Sequence, residues 1–398
     1  MLKWFTEQNQ NAVPAPIGSV EVILRDDLMR CCRWSCAFER ERKDHRYYEI
    51  VEDTILEGFE YQYFAIKDAN GDVRAIQPFF ILDQDILVAA ASKVGGLINF
   101  IRLTWPRFMR MRILMVGCVA GEGHLDNVDV TRPDCQLELL ASAILARARK
   151  LKVSLIVLKE FPAKYRGPLQ CFLRYGFTRV PSLPMTKLNI EYTSFDDYMN
   201  KALNSATRTK LRKKFRAATQ AAPIEMSVVD DITPFVDDIY PLYLQVYERS
   251  KLHFEKLTKE YFCRLGRDMP DKVRFFIWQQ NARIIAFALC MTEGDAIYAE
   301  YIGLDYSIAL NLHLYHYAFR DMITWAIANG YKWFRSSGLN YDPKLHLRHL
   351  LDPIDLYVRH ISGTMNAIFK WALPLIEPTR YDKTLQRFPN YRALWHEP

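Results

Sequence analysis

The sequence predicts an α/β chain of two tandem lobes, each a mixed sheet with helices packed on it. Three observations carry this expectation. The 398 residues exceed what one hydrophobic core usually serves, so two domains are expected. Half the residues are hydrophobic and a quarter charged, the composition of an ordinary globular protein. The order hairpin, strand, loop, helix, strand occurs twice along the chain.

The first copy opens with "YFAIKDANGDVRAIQPFFIL" (63–82), two apolar runs about Asn70-Gly71-Asp72, the chemistry of a tight hairpin turn. After an insertion it continues with a strand "RILMVGCV" (112–119), a glycine-bearing loop "AGEGHLD" (120–126), a helix "CQLELLASAILARARKLK" (135–152) and a buried strand "VSLIVLKEF" (153–161). The helix is read from apolar residues at i, i+3 and i+4. The second copy opens with "RFFIWQQNARIIAFALCMTE" (274–293), turning at Gln280-Asn281. A strand "AIYAEYIGLDYS" (296–307), a helix "NLHLYHYAFRDMITWAIANG" (311–330) ending on glycine, and a strand "YKWFRSSG" (331–338) follow.

The lobes are expected to span 1–190 and 191–398. The first carries an apolar and basic insertion around 86–112, and the second an apolar helix near its end. Just past the boundary, "SFDDYMNKALNSATRTKLRKKFRAATQAA" reads as two helices, the first capped by Ser194 with Asp197 three residues on.

The formal charge of +7 is mild; it permits anionic partners without requiring one. Eight cysteines, at 31, 32, 36, 118, 135, 171, 263 and 290, lack the paired C-x-x-C spacing of a structural zinc site. The close set "CCRWSC", with His45 nearby, has no second ligand pair, so buried reduced thiols and no metal are expected. The first residues show no basic region running into an apolar core with a cleavage site, which predicts a cytoplasmic protein. The most apolar run, "ILVAAASKVGGLINFI" (86–101), is broken by Lys93 and shorter than the ~20 residues of a spanning helix.

The stretch from "FDDYMNKALNSATRTKLRKKFRAA" through the second hairpin to "YIGLDYS", "AIANGYKWF" and "SSGLNYDPKLHLRHLLDP" resembles the acyltransferase domain of the GNAT superfamily in its two-lobed form, the group that includes the Fem peptidyltransferases. "CFLRYGFTRVP" is similar to the helix-Gly-Phe-strand ending of that superfamily. The resemblance covers 190–360 well and 60–190 more weakly, and its specificity lies in the order of short motifs. It implies two GNAT-like lobes and a CoA-type thioester, or an activated acyl donor of similar shape, held at the end of a splayed strand pair with its pyrophosphate on a helix N-terminus. Unpaired N–H groups and the helix dipole make such a terminus an anion site. One departure stands out: the usual pyrophosphate signature, Arg or Gln followed by a Gly-x-Gly/Ala step directly ahead of the helix, is absent from "GLDYSIALNLHL", and in the first lobe about a dozen residues separate the glycines from the helix.

The glycine loop lacks the Lys-Ser/Thr of a Walker loop and does not open a helix at Gly123, the last of the three glycines 117, 121 and 123, which excludes nucleotide and dinucleotide fingerprints. Two readings remain open. Its glycines accommodate a plain turn, or Gly121 and Gly123 flex a loop that brings Glu122 and His124 to the cleft. Amine acylation needs a base for the incoming ammonium and an acid for the leaving thiolate, which a carboxylate and an imidazole could supply. The matching position in the second lobe is Glu300 with Tyr301; Glu300 alternates with apolar neighbours and faces either solvent or cleft. Asp305 of "GLDYS" and Tyr341, Lys344, His346 and Arg348 of the charged loop "NYDPKLHLRH" are the further donor- and substrate-binding candidates, since loops at strand ends collect binding groups.

"RTKLRKKFR" (208–216) places six cationic residues in nine positions on a helix. It is a solvated face, or it meets phosphate groups, an anionic membrane or tRNA; few aromatics interleave, which argues against single-stranded RNA. The insertion, with Lys93, Arg102, Trp105, Arg107, Arg110 and Arg112, and the late segment "SGTMNAIFKWALPLIEP" are amphipathic and basic, as interfacial segments are. Packing between lobes is the alternative. The expected activity is therefore N-acyl transfer from acyl-CoA, with no other cofactor, to a primary amine. Bacterial ceramide synthases, which acylate a long-chain sphingoid amine, fit the apolar and basic segments, with peripheral membrane contact. The alternatives are a Fem-like aminoacyl-tRNA-dependent transfer to a peptidoglycan precursor, and a GNAT fold that has lost catalysis and only binds.

Overall fold

A computed structural model describes residues 18–85, 110–128, 135–250 and 253–396. The expected insertion, apart from its last three residues, lies outside these. Fourteen described strands form two seven-stranded sheets. They are β1 (Ser19–Ile23), β2 (Glu60–Lys67), β3 (Val73–Asp85), β4 (Arg110–Val116), β5 (Leu155–Pro162), β6 (Thr178–Pro181), β7 (Met185–Asn189), β8 (Glu225–Val229), β9 (Val273–Gln280), β10 (Arg283–Glu293), β11 (Ala296–Leu304), β12 (Trp333–Ser336), β13 (Leu350–Asp352) and β14 (Ile354–His360). The described α-helices are α1 (Arg25–Arg30), α2 (His45–Thr54), α3 (Cys135–Lys150), α4 (Arg166–Arg174), α5 (Phe195–Ala202), α6 (Ser205–Ala221), α7 (Val236–Arg249), α8 (Lys259–Asp268), α9 (Leu314–Ala328), α10 (Tyr341–His346) and α11 (Gly363–Ile376).

The duplicated order is borne out. Both hairpins form, both are followed by a strand that pairs in parallel with the strand after the helix, β4 with β5 and β11 with β12. The second hairpin turns one residue later than expected: Asn281 and Ala282 both take positive φ, which a two-residue loop of matching twist requires. Ser194 caps α5 by accepting from the Asp197 N–H at 3.0 Å. "NYDPKLHLRH", read as a loop, contains the short helix α10.

The first sheet runs β1-β2-β3-β4-β5-β14-β6 and the second β13-β7-β12-β11-β10-β9-β8. β7, before residue 190, thus sits in the second sheet, and β14, far beyond it, in the first. Sheet membership does not follow a cut at 190/191, because each sheet is completed by a strand from the other half.

Three apolar layers result. The outer face of the first sheet packs under α3 and α4 through Phe64, Leu114, Ile144, Ile156 and Phe172. The outer face of the second packs under α5, α6 and α9 through Tyr198, Leu211, Phe276, Ile297 and Met322. Between them a single shared core joins Ile76, Phe80 and Met115 of the first sheet to Phe275, Phe287 and Leu289 of the second, with α2, α7 and α8 in the layer. Burying apolar surface on both faces of both sheets is what holds two lobes as one body.

The thiols of Cys118, Cys171, Cys263 and Cys290 are buried as expected, but Cys32 and Cys36 are exposed and Cys31 half-buried. Their segment lies at the surface of a one-turn helix, Trp34–Cys36, whose inward residue is Trp34. Among the described residues no group of His, Cys, Asp and Glu could hold a metal ion, and no helix is long and apolar enough to cross a membrane.

Candidate active site

The charged segment "FERERKDH" (38–45) threads between the two sheets. Asp126 of the glycine loop anchors its start, accepting from the Phe38 N–H at 3.1 Å and the Ile76 N–H at 2.9 Å. Asp44 anchors its end: it caps α2 through the Arg46 N–H and pairs with Lys272 at 3.0 Å. Between these anchors Arg42 and Lys43 are held almost wholly out of water, at 2% and 0% exposure.

Around them the structure gathers three of the four expected catalytic residues. Arg42 Nη2 pairs with Glu122 of the first lobe, while Arg42 Nε donates to Glu300 Oε1 of the second at 2.7 Å. Lys43 Nζ lies 2.8 Å from Glu122 Oε2 and 3.5 Å from Glu300 Oε2. The Arg42 guanidinium also stacks 3.7 Å over the Tyr298 ring. His124 completes the cluster, its Nε2 3.2 Å from Glu122 and its Nδ1 3.1 Å from Glu41. Glu41 is in turn bonded by Tyr165 and Lys164.

Local sequence explains how these groups arrive. Glu300 is the extra residue of a bulge, because Leu289 pairs with Tyr301 and Cys290 with Ala299; Glu300 and Tyr301 therefore turn to the same side. The glycines permit close packing. A Cβ at Gly123 would meet the Lys159 carbonyl at 2.7 Å and the Phe161 ring at 2.9 Å, and one at Gly121, where φ is +88°, would strike Lys43 Nζ.

The electrostatics of this cluster are those of a closed network. Burial alone would raise the Glu122 carboxyl, but Arg42 and Lys43 outweigh it and hold the group well below the usual range. Burial would lower His124, but Glu41 and Glu122 outweigh it and raise the imidazole above its ordinary value. Glu122 is thus a weak base, and both ring nitrogens of His124 are engaged by carboxylates.

Tyr301, the fourth expected catalytic residue, stands beside this network and faces a different partner. Its hydroxyl donates to Glu255 Oε1 at 2.9 Å, and both side chains are half-buried. Burial raises the Glu255 carboxyl, and Lys159 pulls it back only in part. Lys159 itself donates to the Gly121 carbonyl and to Glu160, each at 2.8 Å, and so ties the glycine loop to this pair. Burial, followed by Glu255, pushes the Tyr301 phenol well above its ordinary value, so it remains a proton donor. Next to it the Tyr47 and Tyr261 hydroxyls meet at 2.8 Å and join α2 to α8.

The remaining expected residues lie elsewhere. Asp305 is buried and holds the turn after β11, accepting from Ser307 and Arg283. Tyr341 is buried with its hydroxyl on the Pro184 carbonyl. Lys344 is buried without a carboxylate, donating to the Ser337 and Leu339 carbonyls at 2.5 and 3.0 Å, and burial brings it down to about 7. His346 and Arg348 are exposed. Nearer the start of α9, Lys214 of α6 meets His316 at 2.9 Å, and α6 exposes Lys210, Arg212 and Lys213 on the same stretch.

Sequence reasoning missed Arg42, Lys43, Glu41 and Glu255. The one available signal for the first three was the aromatic frame of Trp34, Phe38, Tyr47 and Tyr48, which is out of place around a solvated loop.

A sequence profile described as FemAB-like, peptidoglycan biosynthesis/recognition, matches residues 134–345. No curated protein sequence matches the chain. Among solved structures, FemX superposes with a TM-score of 0.51 at 12% identity, covering 82% of this chain and 93% of that one. L-PGS from Bacillus licheniformis gives 0.50 at 10% identity, over 85% of this chain and 97% of that one. A tandem GNAT protein from the clavulanic acid biosynthesis pathway gives 0.47 at 10% identity, over 87% and 99%. The chain shares the fold of FemX and of L-PGS, and in it two mixed sheets with packed helices repeat in tandem.

Proposed function

Since the chain belongs to the FemAB-like family and is an acyltransferase, we propose that it moves an acyl group from an activated ester or thioester to a primary amine, with Glu255 and Tyr301 carrying the proton transfers. The observation behind this reading is the Tyr301–Glu255 hydrogen bond, a carboxylate raised by burial next to a phenol that stays protonated. Glu255 takes a proton from the incoming ammonium. The free amine attacks the acyl carbon, and the tetrahedral adduct expels its thiolate or alkoxide. Tyr301 protonates that leaving group and recovers its proton from Glu255, while the adduct nitrogen gives up its second proton to solvent, so that one proton is released for each amide formed. Glu122, His124 and Glu300 act as positioning residues, holding β11 and the glycine loop in register through Arg42.

The donor carries phosphate. Lys210, Arg212, Lys213 and the Lys214–His316 pair form a cationic approach to the start of α9. Acyl-CoA is the first donor proposed; aminoacyl-tRNA is the second, and the length of the cationic face on α6 together with the family favours keeping it. The acceptor proposed is a long-chain lipid amine, supported by the exposed apolar side chains of α11.

The test runs the purified chain with acyl-CoAs of graded length and, separately, with labelled aminoacyl-tRNA, each with amines of graded chain length. Amine-dependent thiol release supports the first donor, and label transfer from tRNA the second. No transfer in either arm overturns the proposal.

A further inference from the structure

We propose that α11 and the segment after it form a docking surface for an anionic lipid bilayer. The inference deepens the reading of a lipid-borne acceptor, and rests on it for its purpose.

No residue of α11 is buried. Phe369 and Leu373 lean against the shared core, on the side of β14 and β6. Elsewhere along its length the helix exposes apolar side chains: Met365, Ile368, Trp371, Leu375 and Ile376 are all exposed, Trp371 at 73% and Ile376 at 67%. Tyr381 adds to them, with 68% of its surface free and its hydroxyl on the Leu375 carbonyl. Beside it Arg380, Tyr381, Tyr391 and Trp395 line an open depression of about 590 Å³, the Arg380 guanidinium stacked 3.9 Å from the Trp395 ring.

Charge selects the occupant. α11 contains no acidic residue, and Lys370 stands next to Trp371. The segment that follows exposes Arg380, Lys383, Arg387 and Arg392. Its two described acids are turned to other work: Glu377 accepts from the Thr379 and Arg380 N–H groups, and Asp382 from those of Thr384 and Leu385. Among the described residues Lys370 and Lys383 have no ion-pair partner. A second copy of this chain would bring the same cationic rim against itself, whereas a bilayer bearing anionic headgroups complements it. Apolar side chains with Trp and Tyr at the headgroup level and lysines at the margin are the physical requirements of such a surface. The described helices are not long and apolar enough to span, so the contact lies along the membrane plane.

The test is flotation of the full chain with vesicles of phosphatidylcholine alone and with added phosphatidylglycerol. Binding is expected to the anionic vesicles and to weaken with salt. Trp371→Ser with Ile376→Ser, and separately Lys370→Glu with Lys383→Glu, are each expected to lower partitioning on the order of tenfold or more. Equal binding by the wild type and both variants, no binding by the wild type, or a dimer in light scattering that the Trp371→Ser/Ile376→Ser variant loses, overturns the proposal. Turnover with a short water-soluble amine is expected to be unchanged in both variants. Failure of docking with transfer intact removes this inference alone; failure of transfer with vesicle binding intact removes the proposed activity alone.

Discussion

Arg42 Nε donates to Glu300 Oε1 at 2.7 Å across 258 residues of sequence, so a loop packed on the first sheet is bonded to the bulge of a strand in the second. The same guanidinium pairs with Glu122, and Lys43 reaches both carboxylates. Glu41, Glu122 and Glu300 thus stand against Arg42, Lys43 and His124, with Lys164 a further partner of Glu41 and Glu293 a further partner of Arg42.

Removing Arg42 is therefore expected to cost far more than losing a surface pair. Arg42→Met leaves Glu300 with Lys43 alone and Glu122 with Lys43 and His124 in a nearly dry site, and breaking a buried pair in this way costs about 3–5 kcal/mol. Urea unfolding of Arg42→Met and of the double variant Arg42→Met/Glu300→Gln measures it. The double variant is expected to recover part of the loss; a single variant as stable as wild type would show that the network contributes nothing.

His124 gives the network a pH signature. Its folded pKa is raised above the ordinary 6.5 by Glu41 and Glu122 acting against burial. Its stabilising contribution is thus full below about pH 6.5 and is lost as pH rises through the higher folded value. His124→Gln is expected to be destabilised relative to wild type at pH 6, and the gap between them is expected to narrow by pH 9. A gap that does not change with pH would mean that the imidazole does not titrate between the two carboxylates.

The parts of this molecule legible in the sequence are those set by local pattern. Hairpins, amphipathic helices and the Ser194 cap follow from periodicities of 2 and 3.6 and from turn chemistry, and they formed as expected apart from the second hairpin's turn, one residue late at Asn281-Ala282. The strand exchange was not legible, because β7 and β14 are short runs whose sheet is chosen by tertiary pairing alone. Arg42 and Lys43 were hidden for a related reason. A charge run is normally solvated, and the carboxylates that pull these two inward lie 79 and 258 residues away. Glu122, His124 and Glu300 were found as a set, but their closure by cations was not, and Glu255 sits in a stretch with no pattern of its own.

Lys344 titrates in the opposite sense from His124. Burial brings its folded pKa down to about 7, against an ordinary 10.5 for the unfolded chain. Between those values the unfolded state binds a proton that the folded state does not, so stability rises with pH from about 7 to 10.5 and the full penalty applies below. Lys344→Met removes this slope while leaving the Ser337 and Leu339 carbonyls without their donor. Thermal unfolding from pH 6 to 10 is expected to show a rising contribution in wild type that is absent from the variant. Parallel curves would mean that Lys344 keeps its ordinary pKa in the fold.

The proton relay makes a sharper demand on Glu255 and Tyr301. With Glu255→Gln the hydrogen bond from Tyr301 can be kept, but no base remains, so kcat/KM for amine acylation is expected to fall roughly 10²–10⁴-fold. The acidic limb of the pH–rate profile, set by the Glu255 carboxyl at a value above 4.5, is expected to disappear with it. Tyr301→Phe keeps the base and loses the acid. Its expected loss grows with the basicity of the leaving group: largest for an alkoxide donor, smaller for a thiolate, which leaves without much help. Because both side chains are half-buried and neither belongs to the Arg42 network, unfolding midpoints are expected to move little in either variant. Wild-type turnover in Glu255→Gln would remove this carboxylate from the chemistry. A loss in Tyr301→Phe that is the same for both leaving groups would confine the phenol to positioning Glu255.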